Sequence, residues 1–172
     1  MLNKFFIFIY DNGIYDQEVY KYFFNNAIQF EYYEEDMLRN NIGCNLVIDK
    51  KNDILIDVIP FIPRMVDDIT TLINIHEYVH TLCLYKNLNK KYKDSVILEV
   101  LPMYYEKLFA MEHDSDILRS YEAKLDDITL NSNDKKYLSA LKICYQLLDG
   151  NKKNNSFKKI NRIAKKLSKN IY

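Results

Sequence analysis

Glycine and proline are nearly absent, with three of each in 172 residues. A sandwich or barrel of short strands needs many more turn formers than that, so the chain reads as mainly helical with few connections. Tryptophan is missing and histidine occurs only three times, so two histidines close together need a cause. The cysteines are also three, Cys44, Cys83 and Cys144. An odd number, widely spaced, excludes a disulfide framework and a paired metal-binding spacing, and leaves free thiols suited to a reducing cytoplasm. Long apolar runs are lacking too. The run Phe5 to Tyr10 (FFIFIY) is far short of the ~20 residues that cross a bilayer. Asp11-Asn12-Gly13 stands where a secretory cleavage site would need small residues. A first strand ending in a turn is the expectation there.

What is present is a large apolar fraction, 48% of the chain, enough for one domain over residues 1–172 with a sizeable core. The pattern predicts an α+β fold, mainly helical, with a small antiparallel sheet ahead of a central helix. Residues 14–36 carry apolar groups at three- and four-residue intervals and predict a helix. Cys44 to Asp49 and Ile54 to Ile59 flank Lys50-Lys51-Asn52-Asp53 and predict a hairpin, which Pro60 and Pro63 close. A helix is expected from Met65 to Tyr85, then a polar loop. A second helix follows through SVILEVLPMYYEKLFAMEH, capped by Asp94 or Ser95 and short of one backbone bond at Pro102. Further helices are expected near 115–129, 133–149 and 156–170, the last capped by Ser156.

Charge is neutral overall but unevenly placed. After Asp149 there are eight lysines and arginines and no acid, so residues 1–149 carry −8, and the two parts should attract. Residues 152–172 read as a basic C-terminal helix whose stripe Phe157, Ile160, Ala164, Leu167 and Ile171 asks for burial.

The central helix contains INIHEYVHTL, residues 73–82. Positions i and i+4 share a helix face, so His76 and His80 can aim their imidazoles at one ion, while Glu77 sits about a hundred degrees away, placed to hold a water. Neutral imidazole suits zinc (Zn2+), and a catalytic zinc site needs a third protein ligand. An ordinary polar helix face is the plain alternative. Metzincin sites require a glycine and a third histidine where this chain has Cys83 and Lys86, which excludes them. Glu99 lies nineteen residues after His80, room enough to turn and return on the next helix. Glu106, seven residues further, shares its face, and His113 repeats the step. Glu99 as ligand with Glu106 orienting a histidine is the preferred assignment, and the reverse stays open.

The pattern HEYVH followed by the glutamates of ILEVLPMYYE resembles the gluzincin metallopeptidases, and more loosely the oligopeptidase family typified by thimet oligopeptidase. The matching residues are Thr71-Leu72, His76, Glu77, His80, Glu99, Pro102 and Glu106, over roughly residues 67–109. Val79 replaces the family's usual glycine, Thr71-Leu72 stands two residues further from His76, and Pro102 is displaced by one. A small gluzincin akin to the repressor-cleaving peptidases is an equal alternative. The resemblance implies a zincin-like domain and a cytoplasmic zinc metallopeptidase acting on a peptide or protein, with His76, His80 and Glu99 as metal ligands. Glu77 is then the general base. Tyr104, Tyr121 and His113 are the candidates for a donor to the oxyanion. The hairpin of residues 44–59 could pair with an extended substrate. The rival expectation is a non-catalytic metal-binding protein, or one that binds nucleic acid or an anionic surface through residues 152–172. Nucleic acid is not the preferred partner, since the basic helix is expected to pack as a brace.

Overall fold

The computed structural model describes residues 1–31, 46–91, 93, 96–150 and 156–169. The elements in chain order are α1 (Leu2–Asp11), α2 (Gln17–Asn26), β1 (Ile28–Phe30), β2 (Val47–Lys51), β3 (Ile54–Ile59) and β4 (Phe61–Pro63). They are followed by α3 (Asp68–Tyr85), α4 (Ile97–His113), α5 (Asp116–Asn131), α6 (Lys135–Gly150) and α7 (Phe157–Ser168). The fold is α+β and mainly helical. Strands β2 and β3 form an antiparallel pair, and β1 and β4 a parallel one. None of the described helices is long and apolar enough to cross a membrane.

The first correction concerns Phe5 to Tyr10, which is helix and not strand. Its buried residues are Phe5, Phe8 and Ile9, a three-and-four spacing that only a helix gives, whereas a strand would bury alternate positions. Tertiary packing overrides the strand preference of aromatic and β-branched residues. The Phe5 ring stacks on Phe23 at 6.1 Å and meets Tyr78 edge-on at 5.6 Å, and Phe8 meets Phe109 at 5.2 Å. Gly13, at φ +65, makes the turn that follows.

The second correction is that residues 14–36 are not one helix. Asp16 caps α2 through Glu18 N and Val19 N, α2 ends at Asn26, and Ile28–Phe30 becomes β1 against β4. Residues 32–36 of that expectation lie outside the described residues, as do Cys44, Asp94, Ser95, residues 152–155 and Ile171. The hairpin forms over the expected stretch, but β2 runs on through Lys50 and Lys51, which pair with Leu55 and Ile54, so the turn is shorter than expected. Asn52 and Asp53, at φ 52 and 61, supply the left-handed turn that suits the strands' twist. Residues 89–91 cover the outer edge of β3, through Leu55 N to Lys90 O and Asn89 N to Leu55 O.

Helix α3 starts later than Met65 because its capping box fixes the start. Asp67 Oδ1 accepts from Thr70 N at 2.7 Å, and Thr70 Oγ1 accepts from Asp67 N at 3.0 Å. The helix is buried almost all round, so its polar side chains need partners. Thr71 and Thr81 donate to the carbonyls of Asp67 and Glu77, and Asn74 donates to those of Pro63 and Thr70. That local accounting leaves Asn74 Oδ1 without a partner, and His76, Glu77 and His80 without a local one.

Helix α7 lays Ile160 and Ala164 into the core, and Phe157 stacks on Tyr105 at 6.2 Å. Ser156 stands at its N-cap but makes no side-chain capping bond. Cys83 and Cys144 are free, and burial pushes the Cys83 thiol up to about 12, out of the reactive range.

Candidate metal centre

His76 faces Glu106 and His80 faces Glu99, so the α3 partner advances as the α4 partner retreats. Helices α3 and α4 therefore run antiparallel at this point, and one face of each is read against the other. The i, i+4 spacing puts the two imidazoles 4.9 Å apart between centroids. A ligand atom from each of His76, His80 and Glu99 lies within 4.8 Å of the other two.

Each side chain has a distinct second contact. His76 Nδ1 is hydrogen-bonded to Glu106 Oε2. A carboxylate oxygen only accepts, so Nδ1 carries the proton and Nε2 keeps its lone pair. His80 Nε2 lies 3.4 Å from Glu99 Oε2, and Lys136 Nζ of α6 lies 3.4 Å from Glu99 Oε1. Glu77 is 2% exposed, and its Oε2 is buried with no hydrogen-bond partner.

The electrostatics favour a cation in this space. Burial lowers the pKa of both histidines, keeping the imidazoles neutral, the form that binds metal. Burial opposes ionisation of Glu99, but the His80 hydrogen bond and the neighbouring Lys136 ammonium hold its carboxyl below the usual carboxylate range. Glu77 is pushed well up, first by burial and then by the charges of Glu99 and Glu106. An anion, two neutral imidazoles and an orphaned buried carboxyl thus converge. An unsatisfied buried group of that kind costs about 1–3 kcal/mol.

Of the residues singled out from sequence, His76, His80, Glu99, Glu106 and Glu77 meet here. Tyr104 and Tyr121 are buried at 5% and 3% exposure, and His113 stacks on Phe109 with its Nδ1 against that residue's carbonyl. Sequence reading missed Lys136 and Tyr137. Tyr137 is 39% exposed beside Lys136, and its pKa is raised by burial and then by the charge of Glu99, with Glu77 adding to it. It missed as well the partners of Lys107. A lysine next to Glu106 on a buried helix requires acids, and Glu122 and Asp126, one turn apart on α5, were the available signal.

No protein-family model, no curated protein and no solved structure matches this chain.

Proposed function

We propose that this protein is a zinc-dependent peptidase of gluzincin type, with His76, His80 and Glu99 holding the metal. The observation that carries the reading is Glu77, a buried carboxyl with an unpartnered oxygen beside a set of two neutral imidazoles and an anionic carboxylate. That donor set fits zinc. When bound, zinc supplies Lewis-acid polarisation of a carbonyl and brings the pKa of water towards neutrality.

The chain's own residues do the rest. Glu77 takes a proton from the attacking water and gives it to the leaving amine, a task suited to a carboxyl next to His76 in the chain whose Oε2 has no other partner. Glu106 fixes the tautomer and ring orientation of His76 through the Nδ1 bond. Tyr137, 39% exposed near Glu99 and Glu77, is our assignment for the donor to the developing oxyanion.

The test is metal content and turnover together. Purified protein is expected to carry about one zinc per chain, to lose it and its hydrolysis of unstructured peptides on chelation, and to regain both on adding zinc. Metal-free protein that takes up no zinc overturns the reading. One observation favours a second reading, a polyanion-binding protein. Among the described residues, none of the cations Lys158, Lys159, Arg162, Lys165 and Lys166 on α7, nor Lys169 at its C-cap, forms an ion pair. Salt-sensitive retention on DNA by a chain that takes up no zinc is the result that reading requires.

A further inference from the structure

Helix α4 carries a stripe, Tyr105, Phe109 and Glu112, at the i, i+4, i+7 spacing of one helix face. Two other helices dock on it. Phe157 of α7 stacks on Tyr105, Phe8 of α1 meets Phe109 edge-on at 5.2 Å, and Asn12, the C-cap of α1, donates to Glu112 Oε2 at 3.4 Å. Helices α1 and α7 therefore cover neighbouring stretches of the same side of α4, and their outer faces look out on that side together. Helix α5 is held elsewhere, through Lys107, two residues or about 200° round from Tyr105. Glu106, next to Tyr105, is turned about a hundred degrees from it, so the proposed metal centre does not share this face.

The two outer faces differ in kind. On α1, Phe5, Phe8 and Ile9 are buried, and the side turned away from them shows Ile7 and Tyr10, 54% and 61% exposed, flanked by exposed Leu2 and Phe6. Only Lys4 and Asp11 are charged in that helix, and Lys4 is paired with Asp68 at 2.7 Å. Tyr10 packs with Phe6 and Tyr15, and Tyr15 with Tyr20, so a run of aromatic rings borders the apolar face. On α7, Ile160 and Ala164 are buried, and Lys158, Arg162, Lys165 and the C-cap Lys169 stand opposite them, with no acid in the helix. None of these four forms an ion pair among the described residues.

We infer that α1 and α7 together form a docking face for an anionic lipid surface, on which the protein lies without crossing the bilayer. An exposed apolar face asks for an apolar partner, and unpaired cations ask for an anionic one. A bilayer with anionic headgroups offers both at once. Its acyl region takes up Ile7 and Leu2, tyrosine rings rest at headgroup level, and the headgroup anions meet the α7 cations. A nucleic acid would answer the cations and leave Ile7 and Leu2 in water. On α1, α7 and the α4 stripe the acids are Asp11 and Glu112 alone, so a second copy laid on this face would cover the apolar side chains and leave most of the cations unanswered. The basic helix by itself would suit any amphipathic brace, and it is the apolar face beside it that selects a membrane. Docking of this kind is independent of what the metal centre does.

The test is co-sedimentation of the full chain with vesicles of phosphatidylcholine alone and of phosphatidylcholine with about one third phosphatidylserine. Binding is expected to the anionic vesicles only and to weaken as salt rises. It should fall about twentyfold in the double variant Arg162→Gln, Lys165→Gln, at roughly fivefold per cation near the surface. The double variant Ile7→Gln, Tyr10→Gln is expected to lose about tenfold through the apolar burial removed. All four positions are exposed, so the fold should tolerate the changes. The chain has no tryptophan, so Ile7→Trp supplies a single reporter on the face, and Leu130→Trp, exposed on α5, one away from it. Ile7→Trp emission is expected to shift to the blue and to be quenched by brominated lipid when anionic vesicles are added, and Leu130→Trp emission to stay unchanged. Absence of binding to anionic vesicles overturns the inference, as does equal binding to both kinds of vesicle or an equal shift at Leu130→Trp. Binding that survives the Ile7 and Tyr10 substitutions intact is adsorption of a polycation and overturns it as well. Tighter retention on duplex DNA than on anionic vesicles, with Ile7→Trp emission unmoved, makes α7 a nucleic-acid face instead. A dimer formed without vesicles and dissociated by the Ile7 and Tyr10 substitutions makes the occupant a second copy, which also contradicts lipid docking.

Discussion

Helices α4 and α7 both carry charge, and they treat it in opposite ways. On α4, Glu99, Glu106 and Lys107 are buried, and each meets a named partner from another helix: His80 and Lys136, His76, and Glu122 with Asp126. On α7 the cations fall within an arc of about 120° when projected at a hundred degrees per residue, and all are exposed. The opposite face, Ile160 and Ala164, is in the core. A buried charge costs several kcal/mol unless paired, so α4 would not keep three of them without compensation from its neighbours. An exposed lysine costs almost nothing. The α4 arrangement is therefore informative about chemistry, and the α7 stripe, however basic, follows equally well from an amphipathic brace.

The contrast can be broken or sharpened by substitution. The largest effect is expected on α3 and α4. Removing one ligand in His80→Ala or Glu99→Ala should weaken zinc binding by about a hundredfold or more, taking roughly a quarter of the 10–16 kcal/mol typical of a zinc site. The check is chelator competition followed by metal analysis. If Glu106→Ala abolishes binding while Glu99→Ala does not, the two glutamates exchange roles. The next effect is on stability through the ligand. Zinc at a hundred times its dissociation constant adds about 2.7 kcal/mol, which in a chain of this size raises the melting temperature by roughly 5–10 °C. Scanning calorimetry with and without chelator measures it.

For α7 the apolar stripe should matter and the charges should not. Deleting residues 152–172 removes the burial of Ile160, Ala164, Phe157 and Leu167. A net loss of roughly 3 kcal/mol and 6–12 °C in melting temperature is expected after allowing for the helix's own ordering cost. Binding of an apolar dye should rise as the covered surface is exposed. The smallest effect belongs to Lys158→Gln and Lys165→Gln, each within about 0.5 kcal/mol. A truncated chain as stable as the whole, with DNA affinity lost, would turn the comparison round and make the charged face the functional one.

What the sequence revealed follows the range of each physical rule. Helix periodicity is local and strict, so that His76 and His80 share a face, with Glu99 and Glu106 available on the next helix, is legible from spacing alone. The hairpin is legible because Asn52 and Asp53 tolerate the left-handed backbone its turn requires. Helix α1 was not, since six apolar residues fit both periods until Phe23, Tyr78 and Phe109 select one face. Strands β1 and β4 pair over three residues each, too few to leave a pattern. Lys136, Tyr137 and Glu122 reach the α4 cluster only through the packing of α5 and α6 against it. No spacing along the chain encodes that meeting.

The central claim is that Glu77 is the base of a zinc-dependent hydrolysis, and one substitution tests it most directly. Glu77→Gln preserves the shape of the side chain and should keep wild-type zinc content, while removing the group that takes the water's proton. Hydrolysis of a peptide cleaved by the wild-type chain is expected to fall by about 10²–10⁴ in kcat with zinc still bound. Zinc-loaded Glu77→Gln turning over at the wild-type rate would contradict the account.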